Sequence, residues 1–429
     1  MIATIEPTHN LRGCVRLPAS KSYSVRAFMT AACGGRSYLT APSECDDALA
    51  AAEAARALGA QMQVEGDRWK IAASQDAALS RVIDVHESGT VLRLLLPLLA
   101  LREQPVRVVG SGSLRGRPNH HLVQVLQQLG VHVSGKGEKD SVPIVFSGGK
   151  LIGGEIRIDG SLSSQFISAL LMACPALPHD TVLRVTGKKV VSQDYVQMTI
   201  QVLQRAGVQI IRRSPRLFRI PGNQRFRGLR WTIPSDYGLA AFLMAGAALT
   251  DSGVTLNGSL QDNIIQADGR IMGLLQKMGV SCVKTSRSIR LRGPFMLKGG
   301  RFSLKNCPDL LPVLAVLSLF ARGRTRFTDI AHVRAKESDR ITDLRRELCK
   351  VGAGVEETSD SLTIVPRREE EYNRNIRFDS HSDHRLAMAF SIAGLRLGAA
   401  VKNAQCVTKS YPGFFRDLSA LGARLTIKK

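Results

Sequence analysis

Six apolar, helix-like segments of this chain each begin with an unusually polar group of residues. Ser, Thr and Asp at such positions are ordinary N-caps, which satisfy free backbone N–H groups. Capping does not explain Lys21 or Arg385, because a cation at a helix N-terminus opposes the helix dipole. Free N–H groups beside a Lys or Arg are instead suited to binding an anion. The six groups are Lys21-Ser22, Glu87-Ser88-Gly89-Thr90, Ser163-Ser164-Gln165, Asp236-Tyr237, Asp309 and Asp383-His384-Arg385.

Three further segments place a base near the start of a more polar helix. The segment Arg334-Ala-Lys336-Glu337-Ser338-Asp339-Arg340 has five charges in seven residues. Lys336 and Arg340 are four apart, which predicts that they share a helix face. Arg117 and Lys409 each come shortly before a proline suited to a first helical turn. A salt-bridged helix end explains any one segment, but together they predict a cleft for a ligand with phosphate and carboxylate groups.

The elements that must position these residues repeat along the chain. Six glycines recur at intervals of 70 to 77 residues, and each follows a segment with helical periodicity. Each repeat is predicted to hold an apolar helix and then an amphipathic helix that ends at the glycine, where a left-handed conformation is favoured. The apolar helices are predicted at residues 23–33, 91–101, 166–174, 239–249, 310–321 and 385–397, and the amphipathic ones at 47–58, 120–129, 195–206, 269–278, 338–351 and 414–421.

Short β-like runs separate the helices, so the sequence predicts an α/β protein. Examples are residues 106–109, 154–158, 182–185 and 361–365. Three repeats come before a link near residues 228–234 and three after it, which predicts two halves. A chain of 429 residues is also too long for one ordinary core. We expect the active site between the halves.

Bulk composition limits the classes of function. The formal net charge of +23 fits either nucleic-acid binding or attraction of anionic substrates. The basic residues are dispersed, with no basic tail and no aromatic-studded strand that would stack bases, which disfavours nucleic acid. The eight cysteines form no CxxC and no His/Cys cluster, so neither a zinc site nor a disulfide framework is predicted. No signal peptide and no membrane span is visible, and we expect a soluble cytoplasmic protein.

The polar segments together resemble those of the enolpyruvyl transferase family, specifically 5-enolpyruvylshikimate-3-phosphate synthases. The resemblance is collinear from about residue 11 to 425 and rests on six motifs in order. They are Leu17-Pro-Ala-Ser-Lys-Ser-Tyr-Ser-Val-Arg26, Glu87-Ser-Gly-Thr90, Ser163-Ser-Gln-Phe166, Arg334-Ala-Lys-Glu-Ser-Asp-Arg340, Asp383-His-Arg385 and Lys409-Ser-Tyr-Pro412.

The resemblance implies a fold and a domain plan. The fold is α/β (α+β), with two similar domains of three βαβαββ units each, the inside-out α/β barrel of the enolpyruvyl transferases. One domain would comprise residues 19–234. The other would comprise residues 235–429, completed by the N-terminal strand within residues 1–18, with the active site in the cleft between them.

The resemblance also implies the reaction and its residues. The enolpyruvyl group of phosphoenolpyruvate would move to the 5-hydroxyl of shikimate 3-phosphate and release phosphate, with no metal or other cofactor. The catalytic residues would be Asp309, Glu337 and Lys21. Shikimate 3-phosphate would be bound by Lys21, Ser22, Arg26, Ser163, Ser164, Gln165, Ser192, Asp309 and Lys336. Phosphoenolpyruvate would be bound by Lys21, Gly89, Arg117, Gln165, Arg340, Arg385 and Lys409.

The chemistry explains why these residue types are needed. Two ligands bring several phosphate and carboxylate charges, whose repulsion a cluster of fixed cations must offset. Asp309 would take the proton of the 5-hydroxyl, and pairing with Lys336 should keep it ionised. Glu337 would stand near the methylene carbon that is protonated and later deprotonated. Alignment of the two bound reactants would supply much of the rate.

Three departures from the family pattern and two rival functions remain. Glu87 and His332 stand where the better-known members have Asn, and Gly238-Leu239 lacks the polar pair that usually follows Asp236. One rival is the sister transferase acting on UDP-N-acetylglucosamine, but residues 110–117 lack the Cys usual in that enzyme. The other is a non-catalytic nucleic-acid-binding paralogue, suggested by the charge of +23. We expect a monomer that binds two small substrates, without nucleic acid or membrane.

Overall fold

The chain folds into two compact units. The computed structural model describes residues 1–73 and 79–428. Unit A is Ala19–Ile233, and unit B is Met1–Pro18 together with Pro234–Lys429. The chain therefore starts in unit B, passes through the whole of unit A and returns to unit B.

Twelve α-helices alternate between two kinds in the described residues, as the repeat predicts. The odd-numbered helices are the apolar ones, and every residue of α7 and of α9 is buried. The even-numbered helices bury one face only. The helices are α1 (Lys21–Ala31), α2 (Asp46–Ala57), α3 (Gly89–Leu99), α4 (His120–Gln128), α5 (Ser164–Ala173), α6 (Gln193–Arg205), α7 (Tyr237–Leu249), α8 (Ile271–Lys277), α9 (Leu311–Leu319), α10 (Arg340–Cys349), α11 (His384–Leu397) and α12 (Phe414–Ala420).

In the part of the chain that the structure describes, the strands fall into six four-stranded sheets, three in each unit, and one short two-stranded pair, β18 with β20. The strands are β1 (Ile2–Ile5), β2 (Asn10–Arg16), β3 (Arg36–Thr40), β4 (Gln61–Glu65), β5 (Arg68–Ala72), β6 (Val82–Asp84), β7 (Val106–Val109), β8 (His132–Lys136), β9 (Ser141–Gly148), β10 (Gly154–Asp159), β11 (Thr181–Thr186), β12 (Ile211–Ser214), β13 (Leu217–Ile220), β14 (Arg230–Thr232), β15 (Asp251–Asn257), β16 (Cys282–Lys284), β17 (Ser288–Leu291), β18 (Leu297–Lys298), β19 (Arg301–Ser303), β20 (Ala321–Arg322), β21 (Thr325–Thr328), β22 (Gly354–Glu357), β23 (Ser361–Val365), β24 (Ile376–Asp379), β25 (Ala399–Lys402) and β26 (Leu425–Lys428).

All six sheets share one topology. In the clearest case β6 pairs parallel with β7, β7 pairs antiparallel with β9, and β9 pairs antiparallel with β8. With α3 between the parallel strands and α4 before the hairpin, this is a βαβαββ unit. Parallel strands need a crossover helix, whereas antiparallel ones are joined by a short turn. The repeated helix pair and the repeated sheet are therefore one folding unit.

In three of the six sheets one strand comes from a distant part of the chain. In unit A, β14 pairs parallel with β3 and is the outer parallel strand of that sheet, the position that β6 has beside β7. In unit B, β2 pairs parallel with β15, and β1 lies between β25 and β26. The N-terminal segment thus contributes two strands to unit B rather than the single strand expected.

The six periodic glycines all stop helices as predicted. Their φ angles lie between +82° and +104°, in the left-handed region that side chains with a Cβ avoid. Each helix therefore turns back toward its sheet within one or two residues of its last turn. Within the described residues, no helix is long and apolar enough to cross a membrane.

Candidate active site

N-caps explain most of the polar helix starts. Ser20, Ser88, Ser163, Asp236 and Asp383 each accept a backbone N–H in the first turn of their helix. The exception is α9, whose N-cap position is Leu310 and has no side-chain cap. Asp309 lies just before it, in the 3₁₀ turn Pro308–Leu310. Its carboxylate is not used to start the helix and is available for other contacts.

Three cations of unit B surround Asp309. Its Oδ1 lies 2.7 Å from Arg340 Nη1 and 3.3 Å from Lys336 Nζ. Its Oδ2 lies 3.3 Å from Arg385 Nη2, and its backbone carbonyl accepts a bond of 3.1 Å from Arg385 Nη1. The Asp309 side chain is still 16% exposed, so a ligand can reach it.

The sequence predicted that Lys336 and Arg340 share a helix face, and this prediction is wrong. Helix α10 begins at Arg340 and not at residue 338, and Lys336 has an extended backbone at the end of the turn Ala331–Ala335. The two residues therefore share no helix face. They converge because both side chains reach the same oxygen of Asp309.

Arg340 is a buried hub with every guanidinium nitrogen engaged. Nε donates to Asp383 Oδ2 at 2.7 Å, and Nη2 donates to Glu337 Oε2 at 3.0 Å and to Asp383 Oδ1 at 3.3 Å. The side chain is 1% exposed. Burial by itself lowers the pKa of Arg340, but the carboxylates of Asp383, Asp309 and Glu337 raise it above its usual value. Four of the five N–H donors of Arg340 are thus bonded to carboxylates in the described chain, so an anion that binds Arg340 competes with these partners.

Arg385 is held on a second side by Asp268. Arg385 Nη2 lies 3.3 Å from Asp268 Oδ2, and both side chains are buried. Asp268 Oδ1 is buried without a hydrogen-bond partner in the described chain. Burial raises the pKa of Asp268 to about 7, against the lowering effect of Arg385. A Cβ at Gly238 would lie 2.2 Å from Asp268 Oδ2, so the departure at Gly238 leaves room for this carboxylate.

The other predicted residues of unit B lie on neighbouring turns. The Glu337 side chain is 9% exposed and bonded to Arg340. Lys409 is buried at the end of the turn Ala404–Lys409. His332 is buried and its Nε2 has no hydrogen-bond partner in the described chain. Burial lowers the pKa of His332 to about 4, with a further contribution from Lys336, so its imidazole is neutral near pH 7.

In unit A, Lys21 is fixed at the start of α1 by an acid from α2. Lys21 Nζ lies 3.0 Å from Asp47 Oδ2, with side chains 14% and 5% exposed. This pairing offsets the unfavourable position of a cation at a helix N-terminus. The Lys21 ammonium is thereby held in place.

Arg26 is fixed from α1 to α6. Its Nε donates to Thr199 Oγ1 at 2.8 Å, and its Nη1 donates to the carbonyl of Ser22 at 3.0 Å. Thr199 in turn donates to Ser168 Oγ at 2.9 Å. Burial lowers the pKa of Arg26 to about 10.

Gln165 is oriented by two residues of α3. Arg93 Nη1 donates to Gln165 Oε1 at 2.6 Å, and Gln165 Nε2 donates to Thr90 Oγ1 at 2.8 Å. Arg93 is itself held by Asn119 Oδ1 at 3.3 Å and by the carbonyl of Pro118 at 3.0 Å. These bonds set the direction of the Gln165 amide.

The serines predicted to bind phosphate lie at the starts of two helices. Ser163 caps α5, and Ser164 is its buried first residue. Ser192 comes directly before α6 in a left-handed conformation, with φ of 54°. The hydroxyl of Ser163 already accepts the backbone N–H of Gln165 at 3.2 Å, so it remains a donor to a ligand.

Gly89 and Arg117 are in close contact. A Cβ at Gly89 would lie 2.7 Å from Arg117 Nη1, so the guanidinium packs directly over the first residue of α3. Arg117 is buried, and its carbonyl accepts bonds from Asn119 Nδ2 at 3.2 Å and Ser141 Oγ at 3.3 Å. Glu87 is one of the residues that depart from the family pattern. Its carboxylate lies against Gly112, in the turn just before Arg117.

Comparisons with known proteins agree on the family. A family model for EPSP synthase (3-phosphoshikimate 1-carboxyvinyltransferase) matches residues 5–418. A 3-phosphoshikimate 1-carboxyvinyltransferase of Methanococcoides burtonii is 36% identical over 427 residues, 98% of each chain. The chain belongs to the EPSP synthase family. It is therefore an enzyme that transfers the enolpyruvyl group of phosphoenolpyruvate to shikimate 3-phosphate, in the shikimate pathway.

Solved structures support the fold of an EPSP synthase. The EPSP synthase of Acinetobacter baumannii superposes with a TM-score of 0.79 at 26% identity, covering 100% of both chains. The enolpyruvyl transferase NikO of Streptomyces tendae gives a TM-score of 0.77 at 18% identity, covering 99% of this chain and 98% of that one. The latter likeness concerns the fold alone. The predicted α/β fold is confirmed.

Three residues that contact predicted site residues were not predicted from the sequence. Arg93, Asp47 and Asp268 have direct contacts with Gln165, Lys21 and Arg385. Arg93 could have been found, because it is the one charge inside the apolar run of residues 91–101. Asp47 and Asp268 carry no such signal, since an acid at the start of a polar helix is ordinary.

Proposed function

We propose that the residues assembled in the two units divide the work of one enolpyruvyl transfer. The unit B cluster around Asp309 supplies the proton chemistry and part of the phosphoenolpyruvate site. Unit A supplies most of the contacts to shikimate 3-phosphate, together with Lys21, Gly89 and Arg117 for phosphoenolpyruvate. The sequence predicts that both sets of residues surround the same pair of substrates, in the cleft between the domains. This remains a prediction.

The observation that carries this proposal is the placement of Asp309. Among the six apolar helices of the described chain, α9 is the one without a side-chain N-cap, so the carboxylate of Asp309, just before it, is not used as a cap. Three cations lie within 3.3 Å of its carboxylate, which favours the ionised form that a general base requires. Asp309 accepts the proton of the 5-hydroxyl as that oxygen attacks the enolpyruvyl carbon.

Glu337 and Lys21 take the other proton and charge roles. Glu337, which lies 3.0 Å from Arg340, acts in its protonated form and delivers its proton to the methylene carbon of phosphoenolpyruvate as the new C–O bond forms. In the second step the Glu337 carboxylate takes a proton back from the resulting methyl group, as the C–O bond to phosphate breaks and phosphate leaves. Lys21 offsets negative charge on both ligands.

Phosphoenolpyruvate binding involves an exchange of partners. Arg340 and Arg385 are bonded to Asp309, Glu337, Asp383 and Asp268 in this structure. Asp383 is fully buried and also caps α11, so it stays on Arg340. The anion therefore replaces the more exposed partners, Asp309 and Glu337, and frees these two carboxylates for proton transfer.

The test is phosphate release by the purified protein with both substrates. We expect release only when phosphoenolpyruvate and shikimate 3-phosphate are both present. Asp309→Asn, which keeps the shape of the side chain, should lower kcat by about 10²- to 10⁴-fold, the usual contribution of a general base. The dissociation constants of both substrates should change by less than tenfold.

A matched control separates loss of the base from loss of the fold. Asp251→Asn removes a carboxylate paired with Arg12 at the surface of unit B, with side chains 54% and 65% exposed. It should leave kcat unchanged. Full activity of Asp309→Asn would refute the assignment of the base, and no release by the unmodified protein would refute the proposed function.

We also propose that the enzyme works as a monomer in the cytoplasm. The location rests on the relatives, which are biosynthetic enzymes named 3-phosphoshikimate 1-carboxyvinyltransferase. Sedimentation velocity should show one species of 46.6 kDa. A larger species at micromolar concentration would contradict the monomer.

A further inference from the structure

A cavity of about 710 Å³ lies on unit A, apart from the residues assigned to substrate binding. Its walls come from β7, β9, the turn Gly112–Gly116 and the hairpin that joins β8 to β9. Its volume is within the range of sites for small molecules. Four cations line it: Arg107, Arg115, Lys136 and Lys139.

The charge of this cavity is uncompensated. None of the four cations has an ion pair or a side-chain hydrogen bond in the part of the chain that the structure describes. Glu138 is the single acid of the lining and is likewise unpaired there. Exposed cations elsewhere in unit A, such as Arg213 and Arg225, are equally unpaired in the described chain, so these four differ from them in lining one concavity. Like charges around one concavity repel one another and focus a positive potential that attracts anions.

The backbone of the cavity is accessible. Gly116 and Gly137 line it, and no atom lies within 4 Å of the place where a Cβ would stand on either. Uncovered backbone next to Arg and Lys side chains allows close approach of an anion. The lining contains no aromatic side chain on which a base or a sugar ring would stack. The chemistry is therefore that of a phosphate chain rather than of a nucleobase.

We propose that this cavity is a binding site for a small polyphosphate anion with two or three linked phosphoryl groups. Four cations on three separate segments match several phosphoryl groups better than one. The concave shape favours a compact anion over an extended nucleic-acid backbone. Arginine binds each group through its fork of N–H donors, and lysine binds as a point charge.

The site borders the segment that carries Arg117 but does not include that residue. Arg115 and Gly116 directly precede Arg117, and Ser141, also in the lining, donates to the Arg117 carbonyl at 3.3 Å. The inference does not depend on the proposed function, because no residue of the catalytic cluster takes part.

Tripolyphosphate binding, measured by isothermal titration calorimetry at 0.15 M NaCl, tests the proposal. The unmodified protein should bind one equivalent with a dissociation constant in the micromolar range. Arg107→Gln/Lys139→Gln should weaken binding at least tenfold, equivalent to about 1.4 kcal/mol. The control Arg213→Gln/Arg225→Gln removes the same charge from two exposed arginines of unit A that do not line the cavity and should change binding less than twofold.

Four results would overturn the proposal. They are no binding at millimolar tripolyphosphate, unchanged binding by the cavity variant, equal weakening by both variants, and tighter binding of a 20-nucleotide single strand that the cavity variant abolishes. Equal weakening would mean diffuse attraction to a chain of net charge +23. Circular dichroism should confirm that both variants fold. If Arg107→Gln/Lys139→Gln does not fold, the single variant Lys136→Gln replaces it in the binding measurement.

Discussion

The acidic residues of unit B differ in how completely their charge is balanced. Asp383 has both oxygens bonded to Arg340. Asp268 has one oxygen on Arg385, and its other oxygen is buried without a hydrogen-bond partner in the described chain. An unsatisfied buried carboxylate oxygen favours the protonated form, which can donate a hydrogen bond. We therefore expect the ionisation of Asp268 to affect the stability of the folded protein.

We predict that Asp268 makes the protein less stable as the pH rises toward neutral. Burial raises its pKa from 3.8 to about 7, and the charges of Asp309 and Asp236 add to this effect against Arg385 and Lys336. Between these values the folded protein keeps a proton that the unfolded chain has lost. Stability is therefore highest below pH 4 for this group and falls through pH 7, by at most about 1.4 kcal/mol per pH unit for one proton.

Urea unfolding between pH 4.5 and 7.5 measures this effect. The stability of Asp268→Asn relative to the unmodified protein should increase with pH, because the amide cannot ionise. The surface variant Asp251→Asn should show no comparable trend across the same window. A pH-independent difference between Asp268→Asn and the unmodified protein would contradict the shifted pKa.

At the scale of elements, each helix is bounded by local chemistry at both ends. Five of the apolar helices start at a Ser or Asp cap, and the glycines that end the amphipathic helices have positive φ. Because these signals act within a few residues, helix starts and ends can be recognised from the sequence. They fix the lengths of the helices and thus where the polar starts of α1, α3 and α5 lie.

Two glycine substitutions should have opposite effects on stability. Gly130 has φ of +86° and no atom within 4 Å of a Cβ, so Gly130→Ala introduces backbone strain without a clash. It should destabilise unit A by about 1 kcal/mol. Gly273 lies inside α8 with equally open space, and Gly273→Ala should stabilise unit B by about 0.5 to 1 kcal/mol.

Both changes can be followed by urea unfolding at pH 7, with circular dichroism as the signal. The pair shares the same chemical change at exposed positions. If both substitutions changed the free energy of unfolding by the same sign and size, the left-handed backbone conformation of the glycine would not be what ends these helices.

At the scale of the whole molecule, the chain crosses between its units twice. Residues 1–18 supply β1 and β2 to unit B, although unit A follows them in the chain. β1 is a central strand, paired on one side with β25 and on the other with β26. Loss of a central strand exposes two rows of unpaired backbone groups and uncovers the apolar core below.

We predict that deleting residues 2–9 weakens unit B far more than unit A. Both tryptophans, Trp69 and Trp231, are in unit A, so their fluorescence reports that unit, whereas circular dichroism reports both. The deletion should shift the dichroism transition to lower urea and leave the fluorescence transition nearly in place. A parallel shift of the two signals would contradict independent completion of unit B by β1.

Much of the fold could be read from the sequence because its signals are local. The spacing of apolar residues predicted all twelve helices within a few residues, and the glycine period predicted the six repeats. The residue types themselves showed which helix starts carry charge. The pairing of β1 and β2 with the far end of the chain has no local signal, and it was anticipated only as a single strand.

The sequence by itself therefore determined the helices, their caps and stops, and the family of this protein, since each depends on residues close together in the chain. Only the tertiary structure decided the partners within the candidate site. Arg340 meets Asp309 and Asp383 from 31 and 43 residues away, and Arg93 orients Gln165 from a distance of 72 residues. Such contacts follow from how sheets and helices pack, because no local pattern specifies which buried charge a distant side chain will reach.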